Sequence, residues 1–409
     1  MRFNIMIFLS LAALLMSCNE IKTIEIWTDR PELALYGEYF NTVQNQYKVA
    51  VKYVEFPVSE LTRSNSPDII VASWLKNSST GTYFRSLNDL FRADKLSRNV
   101  FYPRLLAVGR IDRNHYLLPV SFNIPALIFS KDSGQDLSNQ FTINFDEIKT
   151  LSKNYNIINR GVYTRLGFSP LWNNNFLYTT SVLSDASFAE ASPLTWDSAA
   201  LERSMVFINE WTNNVNTSVQ ADEEFTFKYF FEPPERLIQS GRILFTYMES
   251  RELFLLNEES KKTLDFRWIM ENDIIPITDD SVYMGIPKWS KSWQTAGEFI
   301  VWFFKTENQR LLLDFSMLNR INENIFGICG GFSALSPVTE QVYPLFYPEL
   351  LGRMPPYDNF MQPSILPARW TDIKTRVVLP YLHDRARLTS VDDIYPLEKR
   401  LSDWMRLNR

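Results

Sequence analysis

The chain has 409 residues, 45% of them hydrophobic and 14% aromatic, which exceeds what one core organises, since single cores stop growing near about 250 to 300 residues. Two lobes are therefore expected. A net charge of −5 argues against a nucleic-acid partner, which needs a concentrated basic face. With two histidines, His115 and His383, and two cysteines, almost nothing is left for a zinc site or a His-based triad, so no metal and no cofactor is expected.

The N-terminus carries Arg2 and then an apolar run from Ile5 to Met16 broken only by Ser10. At about a dozen residues it is too short to span a membrane, which takes roughly 20, and it has the build of a secretory leader. It ends in Leu15-Met16-Ser17-Cys18, which resembles a lipobox although Met16 departs from the usual small residue. Lipidation of Cys18 would anchor the mature chain stably, because a diacylglyceryl group and an N-acyl chain give more than one anchor. The alternative is an ordinary signal peptide with an incidental cysteine. Cys329 then has no partner and reads as a buried structural thiol.

Lys22 to Trp27 alternates into a strand, and Thr28-Asp29-Arg30-Pro31 breaks it, with Pro31 suited to the first position of a helix. That helix carries Leu33, Leu35, Tyr36, Tyr39 and Phe40 and ends near Asn45; Tyr47 to Phe56 alternates again. Strand, helix, strand is the parallel-sheet unit. Ser66-Pro67-Asp68 leads into a buried strand from Ile69, followed by a loop at Trp74. Tyr116 to Asp132 is two apolar runs around a polar corner, Ser121-Phe122-Asn123, and Pro125 must begin a strand or sit at an edge because it cannot donate to a ladder. We read it as a connection between two compact units, its corner facing the space between them.

Farther along, Gly167 to Asn175 is rich in turns and aromatics. Ser198 to Asn213 is an amphipathic helix with Leu201, Met205, Ile208 and Trp211 on its core face. A helix from Glu235 closes at Gly241, and Arg242 to Tyr247 is a strand. Helical patterns cover Tyr343–Leu351, Trp370–Leu382 and Asp392–Asn408.

Several of these stretches, in order, resemble bacterial extracellular solute-binding proteins of the sugar-binding type. The resemblance is carried by Ile24-Glu25-Ile26-Trp27-Thr28, Pro67-Asp68-Ile69-Ile70, Leu118-Pro119 with Ser121-Phe122-Asn123 and Pro125-Ala126-Leu127, and Met284-Gly285-Ile286-Pro287-Lys288 with Ser290-Lys291. Near the third crossing no proline follows Gly330-Gly331. The resemblance implies an α/β, two-lobed periplasmic-binding-protein-like fold, each lobe a doubly wound sheet flanked by helices, the two joined by hinge crossovers. The expected layout is a leader over 1–17, a lipidated tether over 18–21, one lobe from 22–128 and 284–338, and the other from 129–283 and 339–409. It also implies a lipid-anchored, extracytoplasmic receptor that is a monomer, captures a small polar solute, most of all a carbohydrate, and hands it to the permease subunits of an ABC importer.

In a doubly wound sheet ligands bind at the carboxyl ends of the strands. The loops there read Trp27-Thr28-Asp29-Arg30, Ser73-Trp74-Leu75-Lys76, Ser121-Phe122-Asn123 and Tyr247-Met248-Glu249-Ser250-Arg251, each mixing an aromatic with polar groups. A sugar offers a C–H face and a rim of hydroxyls, so its binder needs flat aromatics and carboxylates, amides or guanidinium groups. Trp74, Trp172 and Trp370 are stacking candidates, and Asp29, Arg30, Asn123, Glu249 and Arg251 hydrogen-bonding ones. Trp27, Ser73, Ser121, Phe168, Tyr247 and Gly331 complete the expected site. Guanidinium forks suit anions as well as vicinal hydroxyls, so an anionic ligand stays open. Two other readings also stay open: a glycan hydrolase using Asp29 and Glu249 as its carboxylate pair, and a sensor or adhesin subunit that keeps the fold.

Overall fold

The computed structural model describes residues 21–92, 95–134, 137, 141–388 and 394–408; the leader and Cys18 lie outside the described residues. Ten strands build two main sheets. In chain order they are β1 (Lys22–Thr28), β2 (Tyr47–Tyr53), β3 (Ile69–Ser73), β4 (Leu118–Phe122), β5 (Pro125–Ser130), β6 (Thr142–Ile143), β7 (Thr246–Glu249), β8 (Leu264–Ile269), β9 (Val282–Gly285) and β10 (Phe332–Ser333). The first sheet has the order β10-β4-β9-β3-β1-β2 and the second β7-β5-β8-β6.

Helix α1 (Leu33–Val43) joins β1 to the parallel β2, with Ile24 opposite Val49 and Ile26 opposite Val51. The helix begins at Leu33, two residues after Pro31, because a turn through Arg30 and Pro31 comes first, with Leu33 N donating to Arg30 O at 3.1 Å. Gln44 makes the turn into β2: its amide donates to Tyr47 O at 2.6 Å while its oxygen accepts from Gln46 N and Tyr47 N. Asp68 pins the first sheet to a distant segment. Its carboxylate accepts from Glu25 N, from the Ser290 hydroxyl at 2.7 Å and from Ser292 N.

The chain leaves the first sheet at Phe122 and enters the second at Pro125, so the proline does begin a strand. It returns between β8 and β9 and leaves again after β10. On this last passage Ile275 N donates to Asn359 O and Met361 N to Ile275 O, both at 2.8 Å, so the second and third crossings run side by side. The helices over Trp370–Ile373 and Leu379–Arg387 share a core with the helices over Asn174–Leu183 and Ser198–Glu210 on the second sheet. Leu201, Met205, Ile208 and Trp211 are all buried in it, as their spacing predicts. Cys329 is buried as well. The expected strand over Arg242–Tyr247 forms only from Thr246, because Leu244 N and Phe245 N both turn to Gly167 O at 2.9 Å.

One hydrophobic core is continuous between the sheets. Phe326 is its centre: it stacks on Phe254 at 4.7 Å and packs edge-on against Phe332 at 5.0 Å and Tyr347 at 4.9 Å. Among the described residues no helix is long and apolar enough to cross a membrane.

Candidate functional site

Three crossings meet at the polar corner, and its side chains are spent there. Asn123 donates to Gly330 O at 2.9 Å, accepts from the Ser250 hydroxyl at 2.7 Å, and its carbonyl accepts from Thr278 N at 2.9 Å. Ser121 donates to Cys329 O at 3.0 Å. A Cβ on Gly331 would meet Phe122 O at 2.6 Å, so the third segment approaches the first as closely as only glycine permits. The expectation that Ser121, Asn123 and Gly331 face a ligand is thereby corrected: they bolt the crossings together, and the amide of Asn123 has both ends bonded to protein.

The charged loops do come together, beside this corner. Arg30 pairs with Asp29 at 3.2 Å and donates to the Ser73 hydroxyl, which donates in turn to Asp280 O at 2.7 Å. Arg251 forks between the carboxylates of Glu249 and Asp280, and the Thr278 hydroxyl donates to Asp280 at 2.7 Å. Next to them Lys374 reaches Asp279 at 2.9 Å and stands 4.4 Å over the ring of Tyr178. The first sheet, the second crossing and the second sheet's helices thus all contribute to one polar floor.

Its electrostatics are uneven. Burial pushes Glu249 up to about 7, with Arg251 opposing. Burial also pushes Asp280 upward, yet Arg251, Arg30 and the Thr278 hydroxyl outweigh it and hold that carboxyl below its ordinary value. One guanidinium thus serves two carboxylates and keeps only Asp280 firmly charged. Burial raises Asp29 too, against the pull of Arg30.

Two hollows border the floor. A cavity of about 230 Å³ is lined by Asp29, Ser73, Trp74, Tyr83 and, from the other lobe, Glu190 and Ala368. Trp74 has φ 53°, a left-handed backbone that costs a bulky residue free energy. Its ring packs against the core beneath the second sheet, and its indole N–H is buried without a partner. Backbone strain and a buried donor without a partner thus meet at one residue. Across the mouth, the Glu190 carboxylate accepts from Ser78 N at 2.7 Å and from its hydroxyl at 3.0 Å, a direct bond between lobes.

The second hollow, about 500 Å³, sits against the edge strand β7 and is walled by Phe168, Trp172, Phe225, Tyr229 and Tyr247, with Glu232 and Glu252 at its rim. Trp172 lies nearly parallel to Phe225 at 6.0 Å, and its indole donates to Asp222 at 2.9 Å and the Thr226 hydroxyl at 3.0 Å. Burial pushes Asp222 up to about 6, its hydrogen bonds opposing. Tyr247 is held through Thr179 at 3.0 Å. The Glu252 carboxylate accepts from Glu249 N at 2.9 Å, which joins this rim to the charged floor.

Two expected site residues lie in cores instead. Trp27 is buried beneath the first sheet, its indole donating to Glu25 at 2.7 Å and Lys52 standing 4.7 Å over its ring. Trp370 is fully buried beside Tyr178 and Phe188, its N–H spent on Asp279. Asp279, Asp280, Lys374 and Glu190 were not legible in advance; the pair of acids in Thr278-Asp279-Asp280-Ser281, at the second crossing, is the one signal that could have found two of them. Among the described residues no cluster of His, Cys, Asp and Glu could hold a metal.

No protein-family model and no curated protein matches the chain. Solved structures do. The maltose-binding periplasmic protein MalE of Listeria monocytogenes in complex with maltose has a TM-score of 0.62 and 14% identity, with 96% of this chain and 100% of that one covered. An ABC substrate-binding protein of the same organism in complex with cycloalternan gives 0.61 and 14%, covering 94% and 97%. The maltose/maltodextrin-binding domain MalE of Bdellovibrio bacteriovorus bound to maltotriose gives 0.57 and 14%, covering 95% and 100%. The fold is that of two-lobed sugar-binding ABC substrate-binding proteins. Of the two hollows, the one at Trp74 has residues of both lobes in its wall, whereas the one at Trp172 is walled by the second lobe alone.

Proposed function

We propose that the chain is an extracytoplasmic receptor that captures a carbohydrate between its lobes and delivers it to an ABC importer, tethered to the membrane through Cys18. The observation that carries the reading is Trp74: a strained, half-buried indole with an unmet N–H, in the wall of one cavity with Asp29 and Ser73. An aromatic plane above fixed polar groups is what a sugar ring requires. Structures of the same fold hold maltose, maltotriose and cycloalternan. The aromatic hollow at Trp172 gives room for further rings, which favours an oligosaccharide over a monosaccharide.

We place the hinge at residues 123–124, in the crossing around Thr278, and in the third segment near Phe360. Closure follows from the ligand's preference for the closed arrangement, and the Glu190–Ser78 bond is a contact made in that arrangement. The test is a melting screen of the protein against maltodextrins, mannosides and cyclic glucans, with amino acids, polyamines and phosphorylated polyols as comparators. A ligand at 100 times its Kd stabilises by about 2.7 kcal/mol. A shift produced by a sugar and absent in Trp74→Ala supports the reading; a shift produced only by a non-sugar overturns it.

A further inference from the structure

A third hollow, about 440 Å³, lies on the first lobe away from the charged floor, between the segment 98–115 and the chain near Tyr357. Arg98, Arg110, His115, Tyr102, Ser336 and Tyr357 are in its wall, which contains no carboxylate. Neither guanidinium has an acidic partner among the described residues: Arg98 lies 4.3 Å over the ring of Phe91, and Arg110 donates to the Asp112 carbonyl at 2.7 Å. Lys76 adds a third cation close by, its ammonium donating to Arg110 O at 2.8 Å. Glu340 accepts the Tyr102 hydroxyl at 3.3 Å but forms no part of the wall.

His115 is the second, independent observation. It is 6% exposed, packed on Phe91 at 5.0 Å, and its backbone is fixed by Asn88 and Leu87, yet its Nδ1 is buried without a hydrogen-bond partner. Burial, then Arg98 and Arg110, bring its pKa down to about 4, so the imidazole is neutral and offers one N–H in a positive field. Two guanidinium groups without acidic partners in the wall of one hollow, with a neutral imidazole beside them, fit the oxygens of a tetrahedral anion, although the Tyr102 and Ser336 hydroxyls already donate to Glu340 and to Val100 O.

We infer that this hollow binds a phosphate group, free or esterified to a small polar molecule, at a site separate from the cleft between the lobes. Arg98 and Arg110 supply the charge, His115 a fixed hydrogen bond, and Tyr357 and Ser336, on the third segment, close the far side. A bound anion therefore ties the first lobe to the third crossing, whose Phe360 carbonyl already accepts from Arg104.

Calorimetric titration of the full chain with inorganic phosphate and, separately, with glycerol phosphate, at constant ionic strength, tests it. The expected result is one-to-one binding that falls by at least about tenfold in Arg98→Gln/Arg110→Gln, as loss of a charge-assisted hydrogen bond does. His115→Phe, which keeps the ring and removes the donor, is expected to weaken binding as well, while Trp74→Ala leaves it unchanged. Tighter binding of the ester assigns the ligand to phosphorylated organic molecules, and equal binding assigns it to free phosphate; either outcome upholds the site. Absence of saturable binding at about 10 mM, or the same affinity in the double variant with its far-ultraviolet dichroism and melting intact, overturns it.

Discussion

The two sides of the crossings are built from opposite materials. Behind them, Phe254, Phe326, Phe332, Tyr343 and Tyr347 interlock with ring separations of 4.7 to 5.9 Å. In front, the first lobe meets the rest through the Trp74 ring and a few polar bonds, Ser73 to the second crossing at Asp280 and Ser78 to Glu190. Dry aromatic packing is costly to break, whereas exposed polar bonds exchange with water at little net cost. On this difference rests the proposal that the molecule opens in front and pivots behind.

Breaking the rear has the largest expected effect. Phe326→Ala removes the ring at the centre of the cluster and is expected to cost about 3 to 5 kcal/mol in denaturant unfolding. Next is Gly331→Ala, whose methyl would press on Phe122 O. About 1 to 3 kcal/mol is expected, as for an overpacked core.

In front the effects are smaller and fall on binding or on pH. Glu249 has its proton held more tightly in the fold than in the unfolded chain, where its value is the ordinary 4.5. The native state therefore binds more protons between the two values, and stability from this group is full below about 4.5 and lost as pH rises through about 7. Melting temperature measured across that range is expected to fall more in the wild type than in Glu249→Gln; equal slopes would place the proton elsewhere. Trp74→Gly relieves a left-handed φ, so its stability is expected within about 1 kcal/mol of wild type, while sugar affinity drops at least about tenfold. Glu190→Gln is the mildest change, expected within about 1 kcal/mol because the bond is at the surface, and visible as a more open average in scattering.

The same contrast decides what the sequence revealed. Strands, helices and crossings are periodic or punctuated, so Pro125 and the loops after β1, β3 and β7 could be placed from their residues alone. That Asp29, Arg30, Ser73, Glu249 and Arg251 come together was legible because they follow strands directly. Trp370 was misplaced because an indole opening a helix has the same local pattern whether it faces a ligand or a core; only the packing of Tyr178 and Phe188 around it separates the two. Ser121 and Asn123 do face the junction, but what fills it is another part of the chain, 207 residues on at Gly330, and no local pattern carries that pairing. Lys374 and Glu190 reach Asp279 and Ser78 from a helix and a hairpin, partners that no local pattern in those segments marks.

The most direct test of a molecule that pivots on its aromatic rear and closes in front is small-angle scattering of the protein with and without the sugar that raises its melting temperature. A smaller radius of gyration with ligand is expected in the wild type, and a weaker contraction at matched ligand concentration in Trp74→Gly. A sugar that binds with one-to-one stoichiometry and leaves the radius unchanged would contradict it.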